Sequence, residues 1–205
     1  YPLSLMLDRS LGAELPPIFT KSELIKIVEE HSQSDDSDVE TDELQIVEHA
    51  LMFGDKLIED TMTPRSVIKS IQQDEILSPE VMNELHESGF SRFPVYKESP
   101  EDIVGTLFIH DLVDLKDKTK VKDAMSKKVY FVNEKQKLDH VLNAFFKTKH
   151  HWFIVVNEFS EVVGLITIED IIEEILGKQI MDEFDQYEDL RAVALQKAPK
   201  HTQNI

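Results

Sequence analysis

The chain has 205 residues, 41% hydrophobic and 30% charged, enough for one large or two small domains with a real core and unlike a disordered chain. Its 40 acidic residues against 22 basic ones leave a formal net charge of −18, which opposes attraction to phosphate backbones and anionic lipid and argues against nucleic acid as a partner. The absence of cysteine removes disulfide frameworks, thiolate metal sites and thiol nucleophiles, and fits a reducing cytosol.

The opening YPLSLMLDRSLG is apolar and then basic and lacks the basic start and cleavage site of a signal peptide, so the chain is expected to begin inside a longer protein. The longest apolar runs, such as VVGLITI, fall well short of the roughly 18 residues of a membrane helix. The chain as given is therefore expected to be soluble. Thr20, followed three residues later by Glu23 and then by apolar residues at helical spacing, predicts a capped helix to about His31. The polar stretch HSQSDDSDVETDE predicts a linker into a second helix from about Thr41 to Phe53. Asp35, Asp36 and Asp38 in that linker lack the glycine turn and closing glutamate of a calcium loop and are read as solvated.

From Leu57 the sequence repeats. IEDTMTPRSVIKSI has its counterpart in VKDAMSKKVYFV at an offset of 63, SRFPVY in HWFIVV at 60, and GTLFIHDL in GLITIEDI at 59. Three matched segments in order predict two copies of a unit of about 60 residues. Each unit reads as a short helical turn at the methionine, a strand, an amphipathic helix, two further strands and a closing helix. In the second copy Leu138, Val141, Leu142, Phe145 and Phe146 are expected to form the core face of the amphipathic helix. One unit is too small to bury both faces of its sheet, so the two are expected to pack as one pseudo-symmetric body.

These paired units resemble cystathionine-β-synthase-type (CBS) domains. The set MTPR, GFSRFPVY, GTLFIHDL, GLITIEDIIEEI and ILGKQIMDEFD is similar to the cytosolic region of the CorC/CNNM family of magnesium and cobalt transport proteins, over residues of about 40 to 190. The resemblance implies an α/β (α+β) fold, a pseudo-two-fold CBS pair preceded by an N-terminal helical arm. On it, residues 1–39 form the juxtamembrane arm and acidic linker, 40–56 a connecting helix, 57–117 and 118–180 the two CBS domains, and 181–205 an acidic C-terminal extension. It also implies a homodimer through CBS pairs, attachment to a transmembrane domain of the same full-length chain, and a place at the cytoplasmic face of the membrane.

CBS pairs bind adenosine nucleotides between their copies, with a Gly-x-x-Thr/Ser-x-x-Asp segment on the ribose. Gly164, Thr167 and Asp170 have that spacing. Lying three apart where a strand turns into a helix, Thr167 and Asp170 can face one place, and a carboxylate can accept from both ribose hydroxyls. Helix capping is the structural alternative, and the two roles can coexist. The first copy keeps Asp111 but has Phe108 where the second has Thr167, which predicts one nucleotide site and not two. The family pattern further implies Phe90, Ser91, Phe93, Pro94 and Leu165 around adenine, and Thr63, Arg65 and Arg92 near phosphates. Thr63 is expected to open a short helix with Pro64 at its first position. The preferred ligand is Mg2+–ATP, with AMP or ADP as weaker options; the metal is carried by the phosphates, because so acidic a chain would repel a bare triphosphate.

Adjacent His150 and His151 point to opposite sides of a strand and do not make a joint metal site. No Ser-His-Asp set, phosphate-cradling glycine loop or zinc motif is present, so no enzyme is predicted. Two function classes follow: a regulatory nucleotide-binding region of a transporter, or a stand-alone energy sensor or interaction module.

Overall fold

The structure is a computed structural model that describes residues 19–34, 37–112, 118–180 and Ala194. The opening segment, Asp35, Asp36 and the C-terminal extension apart from Ala194 lie outside the described residues. Two compact units divide the chain, residues 1–52 and 53–205. In the first, α1 (Lys21–Ser32) packs against α2 (Thr41–Met52). The expected capping box is present: Thr20 N–H donates to Glu23 Oε2 at 2.7 Å and Glu23 N–H to Thr20 Oγ1 at 3.3 Å. Neither helix has a fully buried residue.

The second unit opens with a 3-10 turn, Phe53–Asp55, and α3 (Ile58–Thr61), which ends at Met62. The first repeat continues as β1 (Thr63–Pro64), a 3-10 turn (Arg65–Val67), β2 (Ile71–Gln72), α4 (Pro79–Glu87), β3 (Arg92–Tyr96), β4 (Ile103–Phe108) and a 3-10 turn (Ile109–Leu112). The second has α5 (Val121–Ala124), β5 (Phe131–Asn133), α6 (Leu138–Thr148), β6 (Trp152–Val156), β7 (Val162–Thr167) and α7 (Ile168–Leu176). The predicted element order is thus present in both copies, with one difference. Where the second copy closes with an α-helix capped by Thr167, the first makes only a 3-10 turn before the undescribed residues 113–117. Phe108 has no side-chain oxygen to accept from the free N–H groups of a helix start, a contribution worth about 1 kcal/mol.

The strands form two mixed sheets, β2–β3–β4 and β1–β7–β6–β5. Within each repeat the strands pair alike: β2 runs parallel to β3 and β5 to β6, while β3 pairs antiparallel with β4 and β6 with β7. The second sheet contains a strand of the first repeat: β1 crosses over and pairs with β7, Thr63 opposite Leu165 and Pro64 opposite Gly164. The exchange is reciprocal, since Ser126, the counterpart of Thr63, bridges Thr106 of β4, the counterpart of Leu165. Backbone bonds extend the crossing on both sides. Ile58 N–H donates to Gln136 O at 2.9 Å and Glu59 N–H to Glu134 O at 3.1 Å; in the other direction Val121 N–H donates to Glu75 O at 2.9 Å and Lys122 N–H to Gln73 O at 2.8 Å.

The cores follow the same exchange. Ile58 is fully buried among Leu138, Val141, Phe145, Phe153, Val155, Ile166 and Ile171 of the second repeat, with Phe53 and Met62 packed against them. Val121 is fully buried among Ile71, Leu77, Leu85, Phe93, Val95 and Leu107 of the first, with Met125 packed against them. Burying one such aliphatic side chain is worth about 2 kcal/mol, so neither repeat has a complete core without the other's entry segment. A third cluster, Ile103, Trp152, Ile154 and Val162 with Tyr96 and Leu165, joins the facing sides of the two sheets. On α6, Phe145 stacks on Phe153 with centroids 4.3 Å apart, while Phe146 is 67% exposed, against the expectation that it is core. The apolar stripe runs through Leu138, Val141 and Phe145, and a residue one place on turns about 100° away from it.

Gly105 and Gly164 let the crossing segments approach. A Cβ at Gly164 would lie 2.6 Å from Thr63 O and 2.8 Å from Met62 Sδ; at Gly105 it would lie 2.5 Å from Met125 Sδ and 2.8 Å from Ser126 O. Gly164→Ala and Gly105→Ala are each expected to lower stability by roughly 1–3 kcal/mol, because a backbone neighbour must move and cannot simply change rotamer. Thermal unfolding followed by circular dichroism checks this, with Gly54→Ala, where the added Cβ would meet only Asp139 at 3.6 Å, as the tolerated control.

Candidate functional site

The junction of β7 and α7 is a complete capping box. Thr167 is extended, at φ −109° and ψ 166°, and Asp170 N–H donates to its Oγ1 at 3.1 Å. In return Thr167 N–H donates to Asp170 Oδ2 at 2.7 Å and Thr167 Oγ1 donates to the same oxygen at 2.9 Å. The cap anticipated as an alternative to ribose binding is therefore real. Both contacts fall on Oδ2, which leaves Oδ1 available to a donor from outside the turn. Burial pushes the Asp170 carboxyl up to about 6; the Thr167 bonds oppose the rise and the nearby Glu173 and Glu169 charges add to it.

The crossing strand sets other predicted residues beside this junction. Thr63 lies across from Leu165, two residues before Thr167, and the turn Arg65–Val67 packs against β7. Pro64 is not the first residue of a helix: Thr63 and Pro64 are extended in β1, and Pro64 precedes a three-residue 3-10 turn. The β7 pairing outweighs the helix-start preference of the Thr-Pro sequence, and so short a turn has no appreciable dipole for an anion. Arg65 is exposed and ion-paired with Glu101 of the β3–β4 connection. An exposed pair is worth at most about 1 kcal/mol, so a phosphate can displace Glu101.

Residues of GFSRFPVY divide by the alternation of β3. Phe93 and Val95 are fully buried in the first repeat's core, whereas Arg92, Pro94 and Tyr96 face the other way, toward the sheet-to-sheet contact that includes Leu165. The Phe93 side chain is thus committed to the core, and its backbone remains for a ligand. Phe90 and Ser91 are exposed just before β3, and Ser91 O accepts from Ile109 N–H at 3.0 Å.

A narrow cleft between the repeats is lined by Thr106, Lys128, Val129, Tyr130, His150, Trp152 and Ile154. The repeat offsets map these residues onto Leu165, Arg65, Ser66, Val67, Phe90, Arg92 and Pro94. Five of the residues implicated by sequence are therefore counterparts of residues that line one real cleft. The cleft itself is crowded: Tyr130 meets His150 edge-on at 4.5 Å between centroids, and Lys128 Nζ lies 5.4 Å from the Tyr130 ring centre. His150 is engaged there and His151 is exposed, its carbonyl accepting from Ile168 N–H at 2.9 Å.

Two residues escaped the sequence reading. Trp152 is buried directly across from Thr167 in the β6–β7 pairing, as Arg92 stands across from Phe108 in β3–β4. Pairing the two strands of each copy as a hairpin would have found it. Glu174 is 17% exposed and holds Lys56 and Thr61 of the crossing segment. No local pattern marks it, since its partners lie more than 110 residues away.

Residues 121–177 match the CBS domain family. The chain is 30% identical to the CBS domain of a bacterial CNNM/CorC family Mg2+ transporter, covering 80% of this chain and all of that one with a TM-score of 0.71. The chain belongs to the CNNM/CorC family. Within it, a second solved CBS domain of a bacterial CNNM/CorC Mg2+ transporter, in complex with ATP, is 32% identical over 65% of this chain and 96% of that one, with a TM-score of 0.61. The magnesium and cobalt efflux protein CorC of Escherichia coli (strain K12) is 32% identical over 173 residues, 83% of this chain. The chain spans 58% of the length of that curated relative. Among the described residues no helix is long and apolar enough to cross a membrane.

The Asp170 carboxyl titrates above its unfolded value of about 3.9. Folding therefore takes up a proton between about pH 4 and pH 6, and the ionised carboxylate carries a cost that is absent below that window and complete above it. The stability of Asp170→Asn relative to wild type is expected to rise from pH 4 to pH 6 and then level off, as checked by denaturant unfolding at fixed ionic strength.

Proposed function

We propose that this chain is the regulatory adenosine-nucleotide-binding CBS pair of a CNNM/CorC-type magnesium and cobalt transporter, with one Mg2+–ATP site per pair. Asp170 carries the reading: its carboxylate is held by Thr167 through one oxygen, and the other is free to accept from the ribose 2′- and 3′-hydroxyls. Thr167 Oγ1 fixes the carboxylate and adds a second polar contact. Phe90, Ser91 and Pro94, the Phe93 backbone, and Leu165 enclose adenine between the facing sheets, and recognition there rests on shape and backbone groups. Thr63, Arg65 and Arg92 meet the phosphates, Arg65 by leaving Glu101 for a bidentate contact. Mg2+ arrives on the phosphates and lowers the charge brought to an acidic chain.

The single-site reading is supported by the second cleft, which is crowded by Tyr130 and His150 and has Phe108 in place of Thr167. The solved ATP complex of a relative supports the choice of nucleotide. Among the described residues no group is placed to activate a water, and the role proposed is regulatory: the nucleotide favours one packing of the CBS pair, and of two chains paired through it, over another. A transmembrane domain of the full-length chain, at whose cytoplasmic face this region lies, reads the difference.

Calorimetric titration tests the site. Asp170→Ala is expected to weaken Mg2+–ATP binding roughly 10- to 100-fold and Thr167→Ala roughly 10-fold, the range for lost hydrogen bonds to a charged and a neutral group. Arg65→Ala should weaken ATP while leaving adenosine unchanged. If both Thr167→Ala and Asp170→Ala stay within a factor of two of wild type, the ribose assignment is wrong. Phe108→Thr, if it raises the stoichiometry above one per chain, supports Phe108 as the block on the second cleft.

A further inference from the structure

Asp170 and Glu174 are four residues apart and lie on one face of α7. That face looks onto the segment that enters the second repeat from residue 53, whose 3-10 turn and α3 both pack against α7. Glu174 holds it through both carboxylate oxygens: Oε1 is ion-paired with Lys56, and Oε2 accepts from Thr61 Oγ1 at 3.2 Å. Two residues beyond Thr61, Thr63 pairs with Leu165 beside the Thr167–Asp170 box. The same two elements are therefore joined at one place by Glu174 and meet at another where the proposed nucleotide sits. Phe53, at the start of the segment, packs into the second repeat's core and follows directly on the last residue of α2, Met52.

We propose that Glu174 is a positioning residue that couples nucleotide occupancy to the connector from the N-terminal arm: its clasp on Lys56 and Thr61 holds residues 56–63 against α7, and the nucleotide closes the same joint from the other end. The inference rests on the site proposed above and names how that site is regulated. Its logic is linkage. A clasp that pre-places Thr63 lowers the ordering cost of binding, and by reciprocity the bound nucleotide must suppress opening of the segment. Glu174 is 17% exposed although Lys56 is 41% exposed, so the pair is half-buried, whereas Arg65 and Glu101 are both exposed. Helix α7 is the shared part, with Thr167 at its cap, Asp170 in its first turn and Glu174 in its second.

Hydrogen exchange on the 205-residue chain, with and without saturating Mg2+–ATP, tests this at the amides of Ile58 and Glu59, which are bonded to Gln136 O and Glu134 O across the crossing. In wild type, nucleotide is expected to slow their exchange about tenfold, within the usual range of coupling. Glu174→Gln should speed their exchange without ligand, weaken Mg2+–ATP several-fold and shrink the nucleotide effect, while β3 and β4 amides keep their protection. The charge-swapped double variant Lys56→Glu with Glu174→Lys should recover most of both effects, which a merely destabilised helix would not do. Wild type that binds nucleotide with no change at Ile58 and Glu59, or Glu174→Gln with the full nucleotide effect, overturns the coupling alone. Wild type with no nucleotide affinity by calorimetry overturns the site and the coupling with it.

Discussion

Everything in the second unit depends on the reciprocal crossing of the entry segments. Each repeat sends its helical turn and following strand residues into the other's sheet and core, and each crossing passes over a glycine where no side chain would fit. Ile58 and Val121 are core residues of the repeat they do not belong to in sequence. Two half-domains whose cores are completed by one another are stable only together, which is the physical reason the pair behaves as one body.

The same crossing builds the candidate site. Thr63 and Arg65 come from the first repeat, Leu165, Thr167 and Asp170 from the second, and the β1–β7 pairing puts them side by side. A ligand held by both groups bridges two elements of different sequence origin, so its binding free energy acts on their contact. That is the requirement for a regulatory site: differential interaction with two packings. The capping box adds a constraint of its own. Thr167 both caps the start of α7 and holds Asp170, so a change there acts on the helix start and on the carboxylate together. Cap loss and ligand loss are separated by measuring both.

Pseudo-symmetry is broken at a few positions. Phe108 for Thr167 removes a helix cap, leaves a 3-10 turn, and deletes a hydroxyl from one cleft. Tyr130 in place of Val67 adds a ring to that cleft, where it meets His150 edge-on. The second copy thus carries a hydroxyl at its helix start where the first has a phenyl ring.

Much of this was legible in the sequence because it is local. The capping spacing of Thr20 with Glu23 and of Thr167 with Asp170, the alternation of WFIVV, the helical stripe of Leu138, Val141 and Phe145, and the repeat offsets are short-range patterns set by backbone geometry. The resemblance to the CNNM/CorC family was carried by short motifs too, MTPR, GFSRFPVY and GLITIEDIIEEI in order. Other features could be decided only by tertiary structure. Thr63 and Pro64 are extended because β7 lies beside them, although the Thr-Pro sequence favours a helix start. Phe93 faces its own repeat's core and Pro94 the opposite side of the sheet because of which side the other repeat covers. Glu174 is a clasp and not a solvated charge because Lys56 and Thr61 reach it across more than 110 residues of chain. Local propensities are worth about 1 kcal/mol or less per residue, and where a crossing strand supplies several hydrogen bonds and a buried side chain, the long-range contact decides.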